Sequence, residues 1–246
     1  MHKQGVDLDK CYEKAFSKDT MKNVEFIEPG MRKLEGKFIT VFYENEEDAA
    51  KDVFNLAEEE NVLISKTLGF DEPLRIEIYI YDKKETFQSK RLGCLALNLN
   101  LNWYVGDVYE TSVLLLSPAS LESCHNYETI KNTAAHEIAH VYTRRLNHKI
   151  SLWLDEGLAG YLSKQIPTKD FSKYFSFLTI SQTHVKNNMS FAISGGYQFS
   201  YTYVDYLIRT YGLDKTIKLV KTGSYENTFG KTEQEIYNDW KASFAV

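Results

Sequence analysis

Two histidines four residues apart, His136 and His140, stand in the run TAAHEIAHVYTRR, with Glu137 directly after the first. On an α-helix four residues turn the chain by about 400°, which stacks both imidazoles on one face. Two nitrogen donors then reach one zinc ion, whose bonds to histidine are about 2.0–2.1 Å long. Glu137 projects about 100° round the helix from His136, beside such a metal rather than onto it. A carboxylate there can take a proton from metal-bound water. The chemistry implied is metal-assisted hydrolysis, with one Zn2+ as cofactor and Glu137 as general base. HExxH is short enough to recur by chance, so it needs independent support.

That support comes sixteen positions after His140, where Glu156 lies within SLWLDEGLAGYL. Catalytic zinc takes three protein ligands and leaves a fourth position for water. A carboxylate on a following antiparallel helix supplies the third, and fifteen intervening residues hold a helix tail, a loop and a first turn. Gly157 and Gly160 predict close approach of this second helix to the first. His148 is the competing ligand. A metzincin pattern needs Gly three and His six residues after the second histidine, and here those positions are Thr143 and Leu146. Without the glycine turn, His148 does not come back to the metal.

These residues need elements to hold them. Ile130, Ala134, Ile138 and Val141 give one apolar helical face, widened by Ala135, Ala139 and Tyr142, which predicts a buried helix over 127–146. Ahead of it, FITVFYE (38–44) and LRIEIYIYD (74–82) read as strands, and 46–68 as an amphipathic helix ending at Gly69. Segment 94–117 reads as a β meander, with VGD as a turn and TSVLLLS (111–117) as its last strand. Beyond the motif, helices are predicted over 152–164, 170–179, 198–211, 213–221 and 232–244. Residues 1–35 form a polar prelude with one helix near 8–22, stopped at Pro29-Gly30. Strands followed by helices make an α+β chain. The predicted organisation is one domain over 36–246, with a mixed-sheet lobe at 36–125, a mainly helical lobe at 126–246 and the motif helix at their seam.

HEIAH followed by WLDEGLAGYL resembles the gluzincin metallopeptidases, notably the peptidase MA-like domains and the aminopeptidase branch with its WLNEGFA-type helix. The order of FITVFY, amphipathic helix, TLGF and RIEIYIYD before the motif helix is similar too, as is the later GYQFSYTYVDYLIRTYG, so the likeness spans about 36–220. It implies a zincin-like fold and peptide-bond hydrolysis. It also implies a tyrosine beyond the third ligand that stabilises the oxyanion, a position matched by Tyr197 in GGYQFS. Substrate peptide would lie along an edge strand of the first lobe, mapped to 111–117. The aminopeptidase branch carries a GAMEN-type segment that captures the substrate amino terminus, whereas SVLLLSPASLES stands in that place here. The expectation is therefore an endopeptidase, with an aminopeptidase or a weakly active peptide-binding domain of the same fold as alternatives.

Composition fits a folded enzyme or binding domain, and the charge balance points to a neutral or peptide-like substrate. Hydrophobic residues make up 43% of 246, with 17 Tyr and 14 Phe, enough for a large packed core. The net charge is −5 and no basic stripe occurs, which argues against nucleic acid or an anionic membrane as partner. Cys11, Cys94 and Cys124 form no CxxC pair, so neither a thiolate zinc site nor a disulfide framework is expected. MHKQGVDLDK has no apolar signal core and no run of about 18 apolar residues follows, so a soluble protein is expected, cytoplasmic or exported with a leader removed.

Overall fold

The computed structural model describes residues 24–93, 101–167 and 178–244. The chain is α+β: a five-stranded mixed sheet first, then a mainly helical region. It divides into two compact units, Met1–Val141 and Tyr142–Val246.

In the first unit the strands are β1 (Arg32–Glu35), β2 (Ile39–Tyr43), β3 (Ile76–Tyr81), β4 (Gly106–Tyr109) and β5 (Ser112–Leu116). Alternation makes β2 a strand: Ile39, Val41 and Tyr43 are buried while Thr40 and Phe42 are less so. β2, β3 and β5 run parallel, with antiparallel β1 and β4 at the two sides, in the order β1-β2-β3-β5-β4. A parallel pair needs a crossover, and helix α1 (Glu47–Thr67) provides it between β2 and β3. Its stripe of Ala50, Val53, Ala57 and Ile64 is buried, and Asn61 within that stripe donates its amide to the Leu74 carbonyl at 3.0 Å. Helix α2 (Lys84–Leu92) follows β3.

Within the first unit three features differ from the sequence expectation. Arg32–Glu35 is strand β1, inside the stretch read as a prelude. Helix α2 was not anticipated. Gly106 and Asp107, read as a turn, lie within β4, and the turn falls at Glu110, whose φ is +53°. The helices expected near 8–22 and over 170–177 lie outside the described residues, and Leu178 and Thr179 are not helical.

The motif helix α3 (Tyr127–Leu146) has the bounds that its apolar periodicity predicts. Asn126 starts it, its side-chain oxygen accepting from the Thr129 N–H at 2.9 Å. Ile130, Ala134, Ile138, Ala139 and Tyr142 are fully buried, while Arg144 and Arg145 suit the dipole at its end. The division between the units falls inside this one helix.

The second unit continues with α4 (Leu152–Leu162), a 3-10 turn (Ile180–His184), α5 (Asn188–Ile193), α6 (Gly196–Tyr211), α7 (Leu213–Thr222), α8 (Tyr225–Phe229) and α9 (Glu233–Ala242). α5 and α8 were not anticipated. Trp153 of α4 meets Phe191, Tyr203 and Trp240 edge-on at centroid distances of 5.9–6.1 Å, forming an aromatic core. Thr232 and Glu235 close a capping box on α9. Among the described residues no helix is long and apolar enough to cross a membrane.

Candidate metal centre

Because α3 is a regular helix through both histidines, His136 and His140 present their rings one above the other. Their centroids are 4.7 Å apart and the ring planes 84° apart. The two Nε2 atoms face each other at 3.0 Å. Tetrahedral zinc with bonds of 2.0–2.1 Å needs donors about 3.3 Å apart, so this separation fits a shared ion after a shift of a few tenths of an ångström. Both rings are buried, His140 at 2% exposure.

Glu156 completes the set. One ligand atom each from His136, His140 and Glu156 lie within 4.8 Å of one another, and all three residues are buried. Two nitrogens and one carboxylate oxygen brought this close could together hold a metal ion. His148 is exposed in the turn after α3 and outside this group.

Helix α4 is held at both ends of its first turn. Ser151 caps it, accepting from the Leu154 N–H at 3.3 Å. The connection from α3 is five residues, 147–151, and Asn147 within it donates its amide to the Val220 carbonyl at 2.8 Å. Asp155 is buried and accepts hydrogen bonds from Thr143 and, at 2.9 Å, from Arg144 Nε. On another side, a Cβ on Gly157 would lie 2.4 Å from the Ser200 carbonyl oxygen and 2.6 Å from Val204 Cγ2. The glycine therefore serves close packing of α4 on α6, not on the motif helix as its position in the sequence suggested. Gly160 is different: a Cβ there would meet only Tyr201, at 3.4 Å.

Glu137 is 7% exposed. Strand β4 passes directly over it, since a Cβ on Gly106 would lie 2.8 Å from Glu137 Oε1 and 2.5 Å from Thr133 Cγ2. Only glycine fits this crossing without displacing the carboxylate. The next residue, Asp107, accepts from Arg91 Nε at 2.6 Å and from the Tyr104 hydroxyl. Burial, reinforced by the Asp107 charge, pushes Tyr104 well above the ordinary phenol range, and Glu137 adds to the same effect. Gly106 escaped the sequence reading because a Gly-Asp pair ordinarily signals a turn; the alternation of Gly106 and Val108 was the weak signal for a strand.

The strand expected at the sheet edge is interior. β5 pairs with β3 on one side and β4 on the other, so 111–117 offers no open edge. The outer strand of this hairpin is β4, which among the described residues pairs with β5 alone. Tyr197 is half-buried in the first turn of α6 with its ring against Phe191 at 5.1 Å. Cys124 is a free, exposed thiol, while Cys11 and Cys94 lie outside the described residues. No protein-family model matches the chain, and no curated protein matches it.

Proposed function

We propose that this protein is a zinc-dependent metallopeptidase of the gluzincin type, acting as an endopeptidase. The observation that carries the reading is the convergence of His136, His140 and Glu156 ligand atoms within 4.8 Å, with Glu137 interleaved between the two histidines. Bound by these residues, zinc would supply Lewis acidity and lower the pKa of a water molecule toward about 7. The chain's own groups do the rest. Glu137, on α3 with Gly106 of β4 against its side chain, takes the proton of the attacking water and hands it to the leaving amine. The Tyr197 hydroxyl donates to the oxyanion that develops on the scissile carbonyl.

The sheet supports a mode of substrate binding by strand addition. A peptide added to the side of β4 that no strand among the described residues occupies would gain backbone hydrogen bonds and run past Glu137, because β4 itself does. Gly106 brings that strand against the carboxylate with no side chain intervening. Lack of a GAMEN-type segment favours internal cleavage over release of single amino-terminal residues. The test is digestion of a mixed peptide library, with and without a chelator, with cleavage positions read by mass spectrometry. Chelator-sensitive internal cuts support the reading. Zinc binding without any cleavage would leave a peptide-binding domain, and cuts confined to the first bond would indicate an aminopeptidase.

A further inference from the structure

The residue before the third ligand has a role that the metal set alone does not require. Asp155 is 3% exposed. Its Oδ1 accepts from the Thr143 hydroxyl and its Oδ2 from Arg144 Nε at 2.9 Å. The two donors are consecutive residues in the last turn of α3, the helix that carries both histidines. A carboxylate gripped on both oxygens by one helix turn has its plane fixed relative to that turn. Because the carboxylate and the Thr143 hydroxyl are shielded from water, the bond between them is stronger than an exposed one.

The neighbouring residue, Glu156, leaves the same first turn of α4 about 100° further round. We infer that Asp155 is a positioning residue: through Thr143 and Arg144 it locks the rotation of α4 against α3, and so aims Glu156 at the histidine pair. Gly157 seats another side of α4 on α6, and Asp155 adds a second hold, on α3, that restrains rotation of α4 about its own axis. An isolated surface ion pair would contribute little, but this carboxylate is 5% exposed and only the Arg144 side chain, at 41%, reaches solvent. The inference rests on the metal site proposed above.

The test is a double-mutant cycle on zinc affinity, measured by competition with a chromophoric chelator. Asp155→Ala should raise the zinc dissociation constant about 10–100-fold, the range typical of residues supporting a ligand. In a Glu156→Gln background the same change should alter affinity by less than about twofold, because the group it positions is already lost. A purely structural role would give the same loss in both backgrounds, and that result overturns the inference, as does no loss in either. Asp155→Asn keeps an oxygen for Thr143 and should fall between wild type and alanine. If Asp155→Ala does not fold, Thr143→Val and Asp155→Asn carry the same cycle. Failure of the wild-type protein to take up zinc would instead remove the metal site itself, which the first titration distinguishes.

Discussion

Replacing Gly157 by alanine sets helix propensity against packing, and the distances decide between them. Alanine favours an α-helix over glycine by about 1 kcal/mol. Against this, the new Cβ would sit 2.4 Å from a backbone oxygen, Ser200 O, and 2.6 Å from Val204 Cγ2. Ordinary contact begins near 3.4 Å, so α4 and α6 must separate by about 1 Å. Overpacking of this kind costs about 1–3 kcal/mol, and an obstacle made of backbone takes the upper part of that range. The expected net loss is about 1–2 kcal/mol, a fall in Tm of about 2–8 °C for a chain of this size. Gly160, one turn later on the same helix, is the control. A Cβ there makes ordinary contact at 3.4 Å with Tyr201, so Gly160→Ala keeps the propensity gain and raises Tm by about 2–4 °C. Calorimetry of the metal-free proteins reads both. If both substitutions raise Tm equally, the close approach of α4 to α6 is wrong, and with it the account of how Glu156 is seated.

Gly106→Ala should lower stability by about 1–3 kcal/mol in urea denaturation, since its Cβ overlaps Thr133 and Glu137. By displacing Glu137 it should also reduce turnover about 100-fold with little change in zinc affinity. Removal of metal by a chelator should lower Tm, and zinc at 100 times its dissociation constant should restore about 2.7 kcal/mol, read by thermal scans at graded zinc concentrations. Tyr104 and Tyr203 are held above the phenol range chiefly by burial. A folded-state pKa raised above the unfolded one contributes stability that is complete below about pH 10 and is lost as pH rises through the folded value. Absorbance titration at alkaline pH should therefore show part of the 17 tyrosines ionising only with unfolding.

The parts of the fold legible in the sequence are those whose burial is periodic. Helix α3 has the predicted bounds because Ile130, Ala134, Ile138 and Val141 mark one face without interruption. β1 was hidden because RKLE, on the outside of the sheet, buries no side chain fully. Helix α2 buries only Phe87, Gln88 and Leu92, too sparse a pattern to declare a helix. Neighbour order in the sheet is a long-range property, so the placing of β5 between β3 and β4 was not written in its residues individually. Its unbroken apolar run, VLLL, is nonetheless the mark of a strand covered on both faces, a sign that 111–117 was interior. In the site, the histidine pair and Glu156 were legible from spacing, since each sits near the start or middle of a regular helix. What spacing does not carry is the support: Gly106 over Glu137, and Asp155 on Thr143 and Arg144, join residues 31, 12 and 11 positions apart.

The central claim is that Glu137 moves protons beside a metal held by His136, His140 and Glu156. Glu137→Gln keeps the shape of the side chain and removes its basicity. The decisive measurement is zinc content by elemental analysis together with the cleavage rate on a susceptible peptide, wild type against Glu137→Gln. The account predicts one zinc per chain in both proteins and a fall in rate of at least about 100-fold in the variant. Full activity in Glu137→Gln, or zinc lost along with the carboxylate, would contradict it.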